Sequence, residues 1–271
     1  MPVQKCPMCL EEKEVVSSHL MPAALYDYCR TATDKPVRVG NGVIMHTDRQ
    51  LQHDLLCLDC EGVLNRGGES WANRKFASIK DGFRLYDLVT SVPPEFQDAD
   101  GAWYSAANNS LIDVEKLAHF ALGIFWKASV HPWRAHERTP MIELGPYSEA
   151  VRTWLRGETS FPKHVCLSVV VSRPEKALIT LSVPVETRTN SWHTFFFNVP
   201  GAIFILNTGK DIDPEMRATC FHESLSHPIL VSDHVTAQLW MRAGRDYAES
   251  RKSNGYLKAK AKRAKARGIG T

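Results

Sequence analysis

Two pairs of cysteines with a two-residue spacer, Cys6-Pro7-Met8-Cys9 and Cys57-Leu58-Asp59-Cys60, restrict this chain more than any other feature. Such a spacer lets both sulfurs of a pair meet one tetrahedral ion at about 2.3 Å, and two pairs complete the coordination of a closed structural zinc site. Because 47 residues intervene between Cys9 and Cys57, the chain must fold back on itself to bring the pairs together. The cysteine count of seven is odd, and four of the seven fall in these pairs, so metal thiolates fit better than a disulfide framework. A redox role would need one reactive pair beside a βαβ pattern, which the sequence lacks. Cys29, Cys166 and Cys220 stand among apolar neighbours and read as core residues. The expectation is one structural Zn²⁺ held by Cys6, Cys9, Cys57 and Cys60, with a binding energy on the order of 10 kcal/mol that is largely folding energy.

The rest of the chain has enough apolar content, 44% over 271 residues, to fill a real core. Its apolar runs, such as Gly201 to Leu206, fall far short of the roughly 20 residues of a membrane span. The first residues, Met1-Pro2-Val3-Gln4-Lys5-Cys6, have no apolar stretch after their charge, so no secretory signal is read and a cytoplasmic protein is expected. The net charge of +3 conceals an asymmetry: eight basic and no acidic residues follow Glu249, leaving residues 1–250 at −5. Lys258, Lys260, Lys262, Arg263, Lys265 and Arg267 could lie along phosphates, or could form a solvated, partly helical tail.

Patterning divides the chain into a zinc module at 1–73, a body at 74–250 and a basic tail at 251–271. Within the module, Pro22 suits the first position of a short helix through Arg30, and Val43 to His46 reads as a strand after Gly40-Asn41-Gly42. A further helix is expected from Cys60. Lys75 to Val89 has a helical pattern, which Pro93-Pro94 break before a linker or surface loop rich in Asp, Gly and Asn. Ser110 to Asp113 resembles a capping box ahead of Val114, Leu117, Ala118, Ala121, Leu122 and Phe125. Phe120, Ile124 and Trp126 make most of that helix apolar, which predicts its burial, with His119 as a hydrogen-bonded core histidine. A short helix near Ser148 to Leu155 precedes strands expected at Val165–Val171, Ala177–Val185, Thr194–Val199 and Ala202–Leu206, the last two joined as a hairpin through Pro200-Gly201. Val235, Leu239, Trp240, Ala243 and Tyr247 mark a last amphipathic helix. The predicted fold is α+β with a mostly antiparallel sheet.

Between the cysteine pairs stands Ser18-His19-Leu20-Met21-Pro22, and Leu56-Cys57-Leu58-Asp59-Cys60-Glu61 closes the loop. This order, C-x-x-C, then His with two apolar residues and Pro, then L-C-x-x-C and a polar residue, resembles the HNH endonucleases over about residues 6–70. The resemblance implies a zinc-bound ββα, treble-clef-like module and hydrolysis of nucleic-acid phosphodiester bonds, with DNA favoured over RNA. By position His19 would be the general base and Glu61, with Glu69, would hold a catalytic Mg²⁺ or Mn²⁺. Imidazole and carboxylate suit those roles chemically. The chain departs from the family at Ser18, where an acidic metal ligand is usual, at Glu61, where His or Asn is usual, and at Gln52, where the amide is usually Asn. Gly68-Glu69, Phe125 to Ser129 and Leu144 to Tyr147 also resemble a bacterial protein group without an established function. The alternative is a non-catalytic zinc module that binds nucleic acid or, with the body, a protein partner. For His19 the bland role is anchoring the helix at Pro22, and for Glu61 it is a first-turn acid favoured by the helix dipole.

His222 and His227 are five residues apart, as are His131 and His136, which turns a helix by about 500° and puts the rings some 140° apart. Neither pair reads as a second metal site. No phosphate-binding loop, dinucleotide fingerprint or nucleophile elbow is present, so nucleotide hydrolysis, hydride transfer and serine esterase chemistry have no support.

Overall fold

The structure is a computed structural model that describes the chain except for residues 30–36, 41–42, 47–49, 77–83, 134–140, 178, 189–191, 223–227, 239–240, 242–244 and 246–271. The basic tail and all six of its phosphate-contact candidates therefore lie outside the described residues, as do His136, His227, Arg30 and the Asn41-Gly42 step.

The N-terminal part begins with β1 (Val3–Lys5) and β2 (Glu12–His19), continues through α1 (Ala23–Tyr28), the hairpin β3 (Val37–Gly40) and β4 (Val43–His46), then β5 (Gln52–Cys57) and α2 (Leu58–Leu64). Strands β1, β2 and β5 form one antiparallel sheet, and β3 pairs with β4 alone. Val43–His46 is a strand as expected, and Pro22 takes the cap position just ahead of α1 rather than its first turn. The helix at the second cysteine pair starts at Leu58, two residues before Cys60, because Cys57 itself is the cap.

From α2 the chain passes without a break into a π-helical turn, Asn65–Glu69, and then α3 (Ser70–Phe76) and α4 (Arg84–Val89). Asp113 caps α5 (Val114–Val130) by accepting from the Lys116 amide at 3.0 Å, and every residue from Leu117 to Ala128 is buried. The apolar circumference read from the sequence is explained by what surrounds the helix. One side packs on a seven-stranded sheet through Phe120, Phe125, Phe197 and Phe204, whose ring centroids stand 4.9–6.5 Å apart. The other side meets the π turn. There His119 Nε2 donates to the Leu155 carbonyl at 2.9 Å, as a core histidine should. α6 (Tyr147–Leu155) lies alongside.

The large sheet has the order β6-β7-β12-β8-β11-β10-β9, from β6 (Phe96–Gln97), β7 (Ala102–Ser105), β8 (Val165–Val171), β9 (Val185–Arg188), β10 (His193–Val199), β11 (Ala202–Thr208) and β12 (Pro228–Val231), with α7 (Pro214–Ala218) between β11 and β12. All pairings are antiparallel except β12 with β8, so the protein is α+β with a mostly antiparallel sheet. Gly201, at φ 79°, turns the β10–β11 hairpin.

Two expectations need correction. Of the strand expected at Ala177–Val185, the described residues before Val185 are not in a strand: Pro184 has no amide to give a ladder, and the segment is instead tied to β10 by the Ser182 amide donating to Asn198 O and Asn198 Nδ2 donating to Thr180 O. The stretch after Pro93-Pro94 is not a plain linker, since β6 and β7 form an edge hairpin turned by Asp98, whose Oδ1 accepts from the amides of Asp100 and Gly101. One contiguous apolar cluster contains Cys6, Leu20 and Leu56 together with Phe120, Trp126 and Phe204, so residues 1–73 pack directly on the body. Residues 233–238 are helical, and the rest of the last expected helix lies almost wholly outside the described residues. No described helix is long and apolar enough to cross a membrane.

Candidate metal centre and the adjoining polar cluster

Cys6 and Cys9 sit on the turn between β1 and β2. The turn closes through Leu10, which takes a left-handed conformation (φ 66°) and donates its amide to Cys6 O at 2.8 Å, while the Cys6 amide donates to Glu11 O at 2.9 Å. Cys57 ends β5 and caps α2, and Cys60 lies in the first turn of that helix, where the unpaired amides favour thiolates. The four sulfurs all lie within 4.8 Å of one another, with Cys9 Sγ and Cys57 Sγ 3.9 Å apart. Ligands 2.3 Å from a tetrahedral centre stand about 3.8 Å apart, so this is a four-cysteine cluster that could hold a structural metal such as zinc.

The charges within the cluster support that fit. A hydrogen bond from Cys60 holds the Cys6 thiol down at about 4, and the same contact pushes Cys60 up; burial raises Cys9. One thiolate is stabilised at its neighbours' expense, because four adjacent sulfurs cannot all ionise without a cation between them. A dication would permit it.

Beside this centre the fold gathers His19, Glu61 and Glu69, residues up to 50 positions apart in sequence. Lys127 of α5 ties two of them together, and its charge reaches the third, Glu61. Its side chain is 1% exposed, and its Nζ donates to the His19 carbonyl and to Glu69 Oε1, each at 2.7 Å. Burial pushes the Glu61 carboxyl up, opposed by a hydrogen bond from Ser18 and by the Lys127 charge, and Glu61 Oε1 is buried without a hydrogen-bond partner. Ser18, at the position where the resemblance calls for an acid, is fully buried and its Oγ accepts from the Leu56 amide at 3.2 Å, tying β2 to β5. In the sequence Lys127 appears only as a cation in the apolar half of α5, within the stretch Phe125 to Ser129.

Glu69 reaches Lys127 because the π turn carries it there. Gly67 and Gly68 let this turn press against α5: a Cβ on Gly67 would lie 2.2 Å from the His119 ring, and one on Gly68 would lie 2.4 Å from Phe120 N. A π turn at a polar cluster is a frequent mark of a functional position.

Among the described residues the four cysteines form the one His/Cys/Asp/Glu group tight enough to share an ion. His19, Glu61 and Glu69 do not make a second such group, and Glu69 is paired with Lys127. Gln52, across from His19 on β5, is exposed.

The fold and the centre thus define an α+β protein with a four-cysteine cluster of metal-binding geometry. Comparison with protein-family models, curated proteins and solved structures finds no match.

Proposed function

We propose that the protein is a zinc-stabilised, HNH-like nuclease, in which the four-cysteine centre is a treble-clef-like anchor for a polar site built on His19, Glu61 and Glu69. The observation that carries this reading is one buried lysine that bonds both the His19 carbonyl and Glu69, with its charge reaching Glu61, whose buried Oε1 has no hydrogen-bond partner. Such a cluster costs stability, and proteins tend to keep such groups where chemistry needs them. His19 would accept the proton of the water that attacks phosphorus, so that the imidazole is protonated and the water oxygen bonds to phosphorus as the phosphorus–oxygen bond to the leaving strand end breaks, that oxygen departing with the bonding pair. Lys127 would act as a positioning residue, holding the His19 backbone and Glu69 from beneath. If a Mg²⁺ or Mn²⁺ binds, it would stabilise charge on the leaving oxygen, and Glu61 is the residue with an oxygen available for it. The basic tail would add non-specific phosphate affinity.

The second reading is a non-catalytic zinc module that binds nucleic acid or a protein. It is favoured by the Lys127–Glu69 ion pair, which satisfies Glu69 without a metal. Incubation of the full chain with duplex DNA, single-stranded DNA and RNA, with Mg²⁺ or Mn²⁺, separates the two. On the nuclease reading, His19→Ala and Glu61→Gln each lower cleavage at least about 10²-fold while fold and metal content stay native. Absence of cleavage by the wild type, or undiminished cleavage by His19→Ala, transfers the assignment to the binding module. Truncation after Asn254 should weaken nucleic-acid binding and flatten its salt dependence.

A further inference from the structure

The four-cysteine centre is gripped from the body side by α6. Arg152 Nη1 donates to the Met8 carbonyl at 2.5 Å, and Met8 lies between Cys6 and Cys9 in the metal-binding turn. Arg156 Nη1 reaches the same carbonyl at 3.5 Å. Met8 is fully buried and Arg152 is 9% exposed, so these contacts are made in a shielded place. The Glu149 carboxylate holds Arg152 with two hydrogen bonds, to Nε at 2.8 Å and Nη2 at 2.6 Å, and Glu158 pairs with Arg156.

Four thiolates around one divalent ion carry a formal charge of −2, and a buried charge of that size needs compensation. The side chains of Arg152 and Arg156 are 10% and 28% exposed, whereas those of their partners Glu149 and Glu158 are 64% and 42% exposed. Water screens those acids more strongly than it screens the buried face. Arginine suits this task because it stays charged and its fork can hold a carbonyl and a carboxylate together.

We infer that Arg152 and Arg156 are positioning residues for the metal: they offset the dianionic tetrathiolate centre, fix its first turn through Met8 O, and so couple metal affinity to the docking of α6. This rests on the reading that the four cysteines hold a metal. Outer-shell groups of this kind contribute about 10- to 100-fold to metal affinity.

The test measures Zn²⁺ affinity of the full chain by competition with a chromophoric chelator, for the wild type, Arg152→Met, Arg152→Lys and Arg156→Gln. Co²⁺ loading of each variant checks the ligand set, since the intensity of the thiolate-to-cobalt bands scales with the number of sulfurs bound. Arg152→Met is expected to weaken Zn²⁺ binding by about 10-fold or more with the Co²⁺ spectrum unchanged, and Arg152→Lys, which keeps the charge, to recover most of it. If Lys and Met weaken binding equally, or if neither weakens it, charge compensation is overturned. Should Arg152→Met fail to fold, the more exposed Arg156→Gln decides, and unchanged affinity there overturns the inference. A wild type that binds no stoichiometric Zn²⁺ would instead overturn the metal reading itself.

Discussion

The close approach of Gly68 to the backbone of α5 provides a demanding prediction. A Cβ on Gly68 would lie 2.4 Å from Phe120 N, 2.6 Å from Lys116 O and 2.8 Å from Phe120 Cα, all backbone atoms of α5 that cannot rotate away. Gly68→Ala must therefore push the π turn off α5 by about 1 Å to restore ordinary contact distances of about 3.5 Å. Overpacking of this kind costs about 1–3 kcal/mol, and alanine's better helix propensity returns about 1 kcal/mol. The displaced turn also carries Glu69 away from Lys127, and breaking a buried pair costs about 3–5 kcal/mol when complete. With that pair stretched rather than lost, the net destabilisation expected is about 3 kcal/mol. Urea denaturation followed by tryptophan fluorescence measures it, since Trp71, Trp126 and Trp154 are buried nearby or along the same core. Gly62→Ala is the control: its Cβ would meet only the Arg66 guanidinium, a side-chain end free to move, so stability should stay within about 1 kcal/mol. A Gly68→Ala midpoint as high as that of Gly62→Ala would refute the tight contact and, with it, the placement of Glu69.

Lys127→Met should destabilise by about 3 kcal/mol, because Glu69 and the His19 carbonyl lose their shared donor, and adding Glu69→Gln should recover part of that loss in the same urea assay. Burial, with the neighbouring His53, holds His131 down at about 4. The unfolded chain thus binds this proton first: the stabilisation is complete above about pH 6.5 and is lost as pH falls towards 4, and His131→Gln should flatten the pH dependence of the urea midpoint across that window. Chelation of metal under reducing conditions should raise amide exchange in β1, β2, β5 and α2 far more than in β8, β10 and β11; a uniform rise would argue against a separable N-terminal module.

The metal-type centre could be read from the sequence because its geometry is local in each half. A two-residue spacer brings two sulfurs together whatever the rest of the chain does, and only the meeting of the halves is tertiary. Helix α5 was legible for a similar reason: its cap at Asp113 and its apolar circumference are both short-range signals. Strands β6, β7 and β12 were not, since two to four residues carry too little periodicity and become strands only by pairing with one another and, through β12, with β8. The parallel β12–β8 pairing in particular is decided by where the chain returns from α7. The polar cluster shows the division most sharply. Sequence motif nominated His19, Glu61 and Glu69, but a lysine on an apolar helix has no partner visible in one dimension. Only the packing of α5 against the π turn, made possible by Gly67 and Gly68, sets Lys127 between Glu69 and the His19 carbonyl, because an ammonium must be paired where water cannot reach it.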